Sequence, residues 1–228
     1  MKPLTWQHGL GVLGFVLLVI GSVMGLTMAP PERHMGDVSR IAYIHVPTAW
    51  SMLLASTFAF GWALASLWTG KERFDDLLAG SVEATVVLAV LMLPSGMIWA
   101  RPTWGVWWDW DVRLTSSLLG LLLFAGILGL RAFVDEPRKR ATWTAVATIV
   151  AYVDIPLIYF GVRWWRSIHQ VQSSPETVSG GMILPWRINA FAVLFITLWF
   201  IAMRSRIEGG KRQIEQAGEP QRIVEAIA

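Results

Sequence analysis

Imidazole and indole are the side chains of this sequence best suited to chemistry, and both can be placed one by one. The histidines are His8, His34, His45 and His169, in a chain of 228 residues that contains no cysteine. Without Cys there is no thiolate metal site, no iron–sulfur cluster, no redox dithiol and no Cys-x-x-Cys-His attachment motif. Of the 14 tryptophans, Trp104, Trp107, Trp108 and Trp110 fall within seven residues of the stretch RPTWGVWWDWDVRLT, Arg101 to Thr115. Indole faces stack well on flat, polarizable ligands. Asp109 and Asp111 interrupt this stretch. Two carboxylates with no His beside them make a weak metal site; they are expected to pair with Arg113 or to fix the loop by accepting backbone N–H groups. His45 lies in AYIHVPTAW, where Pro47 suits the first turn of a helix. His169 lies in FGVRWWRSIHQ, directly after two Trp and two Arg.

The elements that must hold these residues are set by composition. Hydrophobic residues make up 54% of the chain and charged residues 15%, against roughly 25% charged in a soluble domain. Mean hydropathy is +0.50. Too little polar surface is available to face water on all sides, and a membrane protein is expected. A spanning helix needs about 20 mostly apolar residues, and six stretches qualify: Leu10 to Met28, Val46 to Leu67, Leu78 to Trp99, Leu114 to Val134, Ala141 to Gly161 and Trp186 to Met203. The first is long and has no small-residue cleavage site before Pro30-Pro31, so it reads as a membrane helix rather than a signal peptide. The expected fold class is therefore all-α, a polytopic bundle of six transmembrane helices. Residues 1–204 would form the membrane domain and 205–228 a polar tail.

Orientation follows from Lys and Arg. Twelve of them, with Arg138-Lys139-Arg140 as the densest cluster, fall on one side and seven on the other, which places both termini in the cytoplasm. Loops 29–45, 100–115 and 162–185 then face outward. The net charge of +3 is explained by the same bias and carries no nucleic-acid inference. Nine Trp lie at the outward end: Trp50, Trp99, Trp104, Trp107, Trp108, Trp110, Trp164, Trp165 and Trp186. An interfacial aromatic belt should form on both faces, so the one-sided excess points to a binding platform. Neither His nor Trp entered the orientation argument, yet His45, His169 and the Trp-rich loop emerge on one side at similar depth.

One ligand class matches all of these features. Haem is flat, takes axial imidazoles above and below its iron and carries two propionates that need cationic partners. Outward Arg40, Arg101, Arg113, Arg163 and Arg166 supply those partners, and the guanidinium fork binds carboxylates bidentately. A quinone would not need the arginines, and a free metal would not need the indoles. Two His ligands leave iron without an open position, so a carrier is expected rather than an enzyme. The rivals are a b-type membrane cytochrome passing electrons to or from quinone and a small-molecule or haem transporter with a Trp-rich gate. His34 is an outward competitor as ligand. Within the spans, Asp154 precedes Pro156 and is expected to help satisfy backbone groups that the proline frees. Pro94-Ser95-Gly96 is expected to kink the third span, and Glu83 to reach the interface.

The string WGVWWDWDVRLTSSL resembles the tryptophan-rich "WWD" signature of haem-handling proteins, approximately W-G-x-x-W-x-W-D-x-R-L-T. It is met by Trp104, Gly105, Trp108, Trp110, Asp111, Arg113, Leu114 and Thr115. With IHVPTAW around His45 and DIPLIYFGVRWWRSIHQ around His169, the chain resembles, over nearly its whole length, the CcmC family of the system I cytochrome c maturation apparatus. The resemblance implies His45 and His169 as axial ligands of non-covalently held haem b. It implies Trp104, Trp107, Trp108, Trp110 and Asp111 as platform, and Arg113 and Arg40 as propionate contacts. It also implies partners: a haem chaperone, an ABC transporter of two sister subunits and a very small membrane subunit, all at the cytoplasmic (inner) membrane with the haem site on the periplasmic face.

Overall fold

A computed structural model describes residues 6–169 and 178–227, with side chains through residue 218. Lys2, the side chain of Arg222 and residues 170–177 of the third expected loop lie outside the described residues. The regular elements among the described residues are helical: α1 (Trp6–Thr27), a 3₁₀ turn (Asp37–Ile41), α2 (Ala42–Thr69), α3 (Glu72–Trp104), α4 (Val112–Phe133), α5 (Pro137–Tyr152), α6 (Asp154–Trp164) and α7 (Gly180–Ile227). Six helical units are long and apolar enough to cross a membrane, with α5 and α6 together forming the fifth. The protein is a multi-pass helical membrane protein.

Its surfaces are those of a chain dissolved in lipid. Val12, Phe15, Val19 and Val23 of α1, Leu119 and Leu122 of α4, and Val146 and Val150 of α5 point outward. The interior holds small and hydroxyl residues. Ala55, Ala59 and Ala63 form an i, i+4 stripe on α2 that packs on the most buried span, α3, through Leu78, Val82 and Ala89. In a bilayer no hydrophobic drive pulls helices together, so close backbone approach through small residues takes its place. The stripe of α1 facing α7 shows this directly: a Cβ at Gly11 or Gly14 would come within 2.8 Å of Trp199 or Ile196. Several buried hydroxyls are satisfied within their own helices, as in Thr85 to the Ser81 carbonyl at 2.9 Å and Thr148 to Thr144 at 2.8 Å.

Prolines set the breaks. Pro156 has no N–H for the Tyr152 carbonyl, and the fifth span divides at Val153 into α5 and α6. Asp154, expected to compensate for that loss, does not: both its carboxylate oxygens are buried without a hydrogen-bond partner among the described residues. Pro47 lies in the second turn of α2, not the first, because the helix begins at Ala42. Its missing donor frees the Tyr43 carbonyl, which instead accepts from Asn189 Nδ2 of α7 at 2.8 Å, with Asn189 wholly buried. Helix α3 runs unbroken through Pro94-Ser95-Gly96 to Trp104 and stops at Gly105, whose φ of 79° is open to glycine but costly to residues with a Cβ. The link from α3 to α4 is therefore only residues 105–111.

At the opposite end the polar stretch after Met203 continues α7 as the same helix. Ion pairs lash it to the other spans: Arg204 to Glu83, Arg140 to Glu215 at 3.0 Å, and Arg212 to Asp76. Arg131 of α4 binds Asp75 of α3 with both Nη atoms, at 2.7 and 3.2 Å, and lies 3.7 Å from Glu208. Glu83 thus ends on an arginine of α7 rather than simply reaching the interface.

Candidate functional site

At the α3–α4 end of the bundle, α2, α3, α4, α6, α7 and the segment after α6 line a partly open cavity of about 120 Å³. Each helix contributes one stripe. His45, Ala49 and Leu53 repeat every four residues along α2; Met92, Gly96 and Trp99 line the facing side of α3; Arg113, Leu114 and Ser117 come from the first turns of α4; and Ile158 and Tyr159 come from α6. His169 follows α6, and Trp50 and Trp186 stack at 6.0 Å on one wall. The arrangement brings His45, His169 and Arg113 into one cavity, although they lie far apart in sequence.

His45 is held from α3. Its Nδ1 lies 3.0 Å from Ser95 Oγ, which in turn donates to the Met92 carbonyl at 2.8 Å. With the single hydroxyl hydrogen on Met92, Ser95 accepts from His45 Nδ1–H, and Nε2 keeps its lone pair. Trp99 packs edge-on against the ring at 5.6 Å. Gly96 makes room for the imidazole, since a Cβ there would lie 3.0 Å from His45 Cε1.

His169 is held from α4. Arg113 Nη1 donates to its Nδ1 at 3.1 Å, and the same guanidinium donates to the Ile158 and Tyr159 carbonyls, each at 3.2 Å. The Trp104 ring lies 5.5 Å from the imidazole. Asp111 secures the backbone on both sides. Its Oδ1 caps α4 by accepting from Leu114 N at 2.8 Å, and its Oδ2 accepts from Ser167 Oγ, which accepts from His169 N at 3.0 Å. Of the two roles expected for this carboxylate, binding of backbone N–H is the one observed.

The remaining residues singled out in the sequence are placed elsewhere. Trp108 packs against Trp110 at 5.6 Å, and Trp107 and Trp110 are 55% and 74% exposed; none of the three lines the cavity. Arg40 closes the end of α1, donating to the Gly25 and Ala29 carbonyls at 2.7 and 3.2 Å and pairing with Asp37 at 2.8 Å. His34 is exposed on the turn before it, where Glu32 accepts the backbone N–H groups of His34 and Met35. Those bonds hold the Glu32 carboxyl below its ordinary pKa. Asp154 lies beneath the cavity, one turn from Ile158, with its Oδ2 where a Cβ at Gly120 would meet it at 3.0 Å. It is 5% exposed.

The site contains residues that the sequence does not single out for it: Ser167, Ser95, which it marks only for an expected kink, and Trp50, Trp99 and Trp186, which count only in the one-sided Trp excess. The i, i+4, i+7 spacing of Met92, Gly96 and Trp99 is the one signal that marks them as one helix face. Trp99 and Trp186 each bury an indole N–H with no partner among the described residues. Two imidazoles, apolar walls and three donors, the Arg113 guanidinium and these two indoles, fit a flat macrocycle with a central metal and carboxylates at its edge. Among the described residues no cluster of three His, Cys, Asp or Glu could hold a bare metal ion.

The family profile described as heme exporter protein C matches residues 4–218. The protein of that name from Bradyrhizobium diazoefficiens is 35% identical over 216 residues, covering 90% of this chain and 79% of its own. The one from Haemophilus influenzae is 33% identical over 201 residues, covering 86% and 81%. A ccmC-like mitochondrial protein of cytochrome c biosynthesis from Marchantia polymorpha is 26% identical over 207 residues, covering 89% and 88%. Matched by the profile over nearly its full length, this chain belongs to the CcmC, or heme exporter protein C, family.

Proposed function

We propose that this protein holds haem b non-covalently at the outer face of the cytoplasmic membrane and passes it to a haem chaperone during c-type cytochrome maturation. The observation that carries the reading is the convergence of His45, His169 and Arg113 on one apolar cavity. The two imidazoles would take the axial positions of the iron and the indoles its faces, with Trp104 beside His169 and Trp99 beside His45. Both positions being filled by protein, the iron has no place for oxygen or peroxide, which suits a carrier rather than an enzyme. The ligands lie in the first turn of α2 and beyond the end of α6, near the rim of the bundle where a water-soluble partner has access. A b-type cytochrome would be expected to bury its ligands deeper between spans.

Trp107 and Trp110, exposed beside the site, form in this reading the surface that the chaperone meets during transfer. The ABC transporter subunits and the small membrane subunit are the membrane partners that family membership suggests, with lipid around the bundle. The decisive measurement is an absorption titration of the purified protein with haem. A low-spin spectrum lost on His45→Ala or His169→Ala, and kept on His34→Ala, is the expected result. A protein that takes up no haem, or that loses it through His34 alone, overturns the assignment.

A further inference from the structure

The two histidines are not held alike. Ser95 accepts from His45 Nδ1 and so leaves Nε2 bare, ready to coordinate. At His169 the partner is a guanidinium, which has donors and no acceptor. Nδ1 must therefore be the accepting nitrogen, and in a neutral ring the proton then sits on Nε2. In this arrangement neither nitrogen of His169 offers iron a lone pair: one is occupied by Arg113 and the other is protonated. Arg113 is itself fixed by the Ile158 and Tyr159 carbonyls, so the grip on His169 belongs to the packing of α4 on α6.

We propose that Arg113 is a latch on His169, opened by a carboxylate of the incoming porphyrin, so that His169 coordinates only porphyrins that carry one. This rests on the haem reading above and adds a selection rule to it. A carboxylate is a stronger acceptor for a guanidinium than a neutral imidazole nitrogen, because the bond is assisted by charge on both partners. When a propionate draws the Nη1 donor away, Nδ1 is free to take the proton that Nε2 gives up through solvent. The imidazole gains and loses no proton overall, and Nε2 is left with its lone pair toward the iron. Binding is thus ordered: His45 coordinates first, and His169 closes the second axial position only after the propionate has docked. Reversal gives a route for release, since withdrawing the propionate returns Arg113 to His169 and weakens the grip on iron.

The test compares haem with its dimethyl ester, whose propionates are capped, on the full-length protein in detergent. The native protein is expected to give a six-coordinate low-spin spectrum with haem and a five-coordinate spectrum with the diester, the latter matching haem bound to His169→Ala. Arg113→Met is expected to remove the difference and give six-coordinate spectra with both porphyrins, while retaining haem about tenfold less well, the scale on which groups supporting a metal ligand act. A propionate contact without a latch would weaken the diester but leave it six-coordinate in the native protein. That result, or continued discrimination by Arg113→Met, overturns the proposal. The native comparison needs no substitution, so it stands even if Arg113→Met fails to fold. A failure of both porphyrins to give any His45-dependent spectrum would instead overturn the haem reading itself.

Discussion

At the scale of single residues, the candidate site depends on small polar groups that position its two histidines. Ser95 sets which nitrogen of His45 is bare. Ser95→Ala removes that constraint, and haem is expected to bind about tenfold more weakly by spectroscopic titration, with the fold unchanged in circular dichroism. Asp111 does two jobs with two oxygens, capping α4 and holding Ser167 against the His169 backbone. Asp111→Ala should cost about 1 kcal/mol of stability through the lost cap, whereas Asp111→Asn should keep most of it because Asn caps nearly as well. Thermal unfolding in detergent separates the two. If Ala and Asn variants melt together, the cap is not what this carboxylate contributes.

At the scale of helices, proline in the second turn of α2 is tolerated because another helix supplies the missing donor. The Tyr43 carbonyl freed by Pro47 accepts from Asn189 in a wholly buried contact. Asn189→Leu should therefore cost about 1 to 3 kcal/mol, the penalty of an unsatisfied buried acceptor. In the Pro47→Ala background the new N–H can serve the same carbonyl, and the loss should be much smaller. A double-mutant cycle in chemical unfolding reads this coupling directly; additive losses would show that Asn189 acts through some other contact. The bond ties α7 to the helix that carries His45, so a defect here should also reach haem affinity.

At the scale of the molecule, the two ends are built on different principles. The His45 end is a cavity with apolar walls and few polar groups, whereas the Arg131 end is an open polar cleft lined by ion pairs among α3, α4, α5 and α7. Arg131 and Asp75 are only 10% and 12% exposed at their side chains, so Arg131→Met leaves a carboxylate buried beside Glu208. A destabilisation of about 3 kcal/mol is expected, largely recovered by the Arg131→Met/Asp75→Asn pair, because the cost lies in the uncompensated charge. From the Lys and Arg bias the ion-paired end is expected in the cytoplasm. A reporter active only in the cytoplasm should work when fused after Ala228, and one active only in the periplasm should not. The opposite result would invert the topology and move the cavity to the cytoplasmic face.

Membrane class, the number of spans and the candidacy of His45 and His169 were legible in the sequence alone. These are properties of composition along the chain: the length of an apolar run decides whether a helix can cross a bilayer, whatever its neighbours are. Which face each helix turns inward was not legible. The Trp-rich stretch reads as one platform, yet rotation about Gly105 and the cap at Asp111 leave Trp104 on His169 while Trp107 and Trp110 stand in the open. Arg40, matched by type to a propionate, is taken by the carbonyls at the end of α1. The cavity wall comes instead from Trp50, Trp99 and Trp186, on three helices. The choice among several Trp or several Arg is made by packing between segments remote in the chain, where rotation of a helix by a single residue exchanges one side chain for another. Only the tertiary structure could decide it.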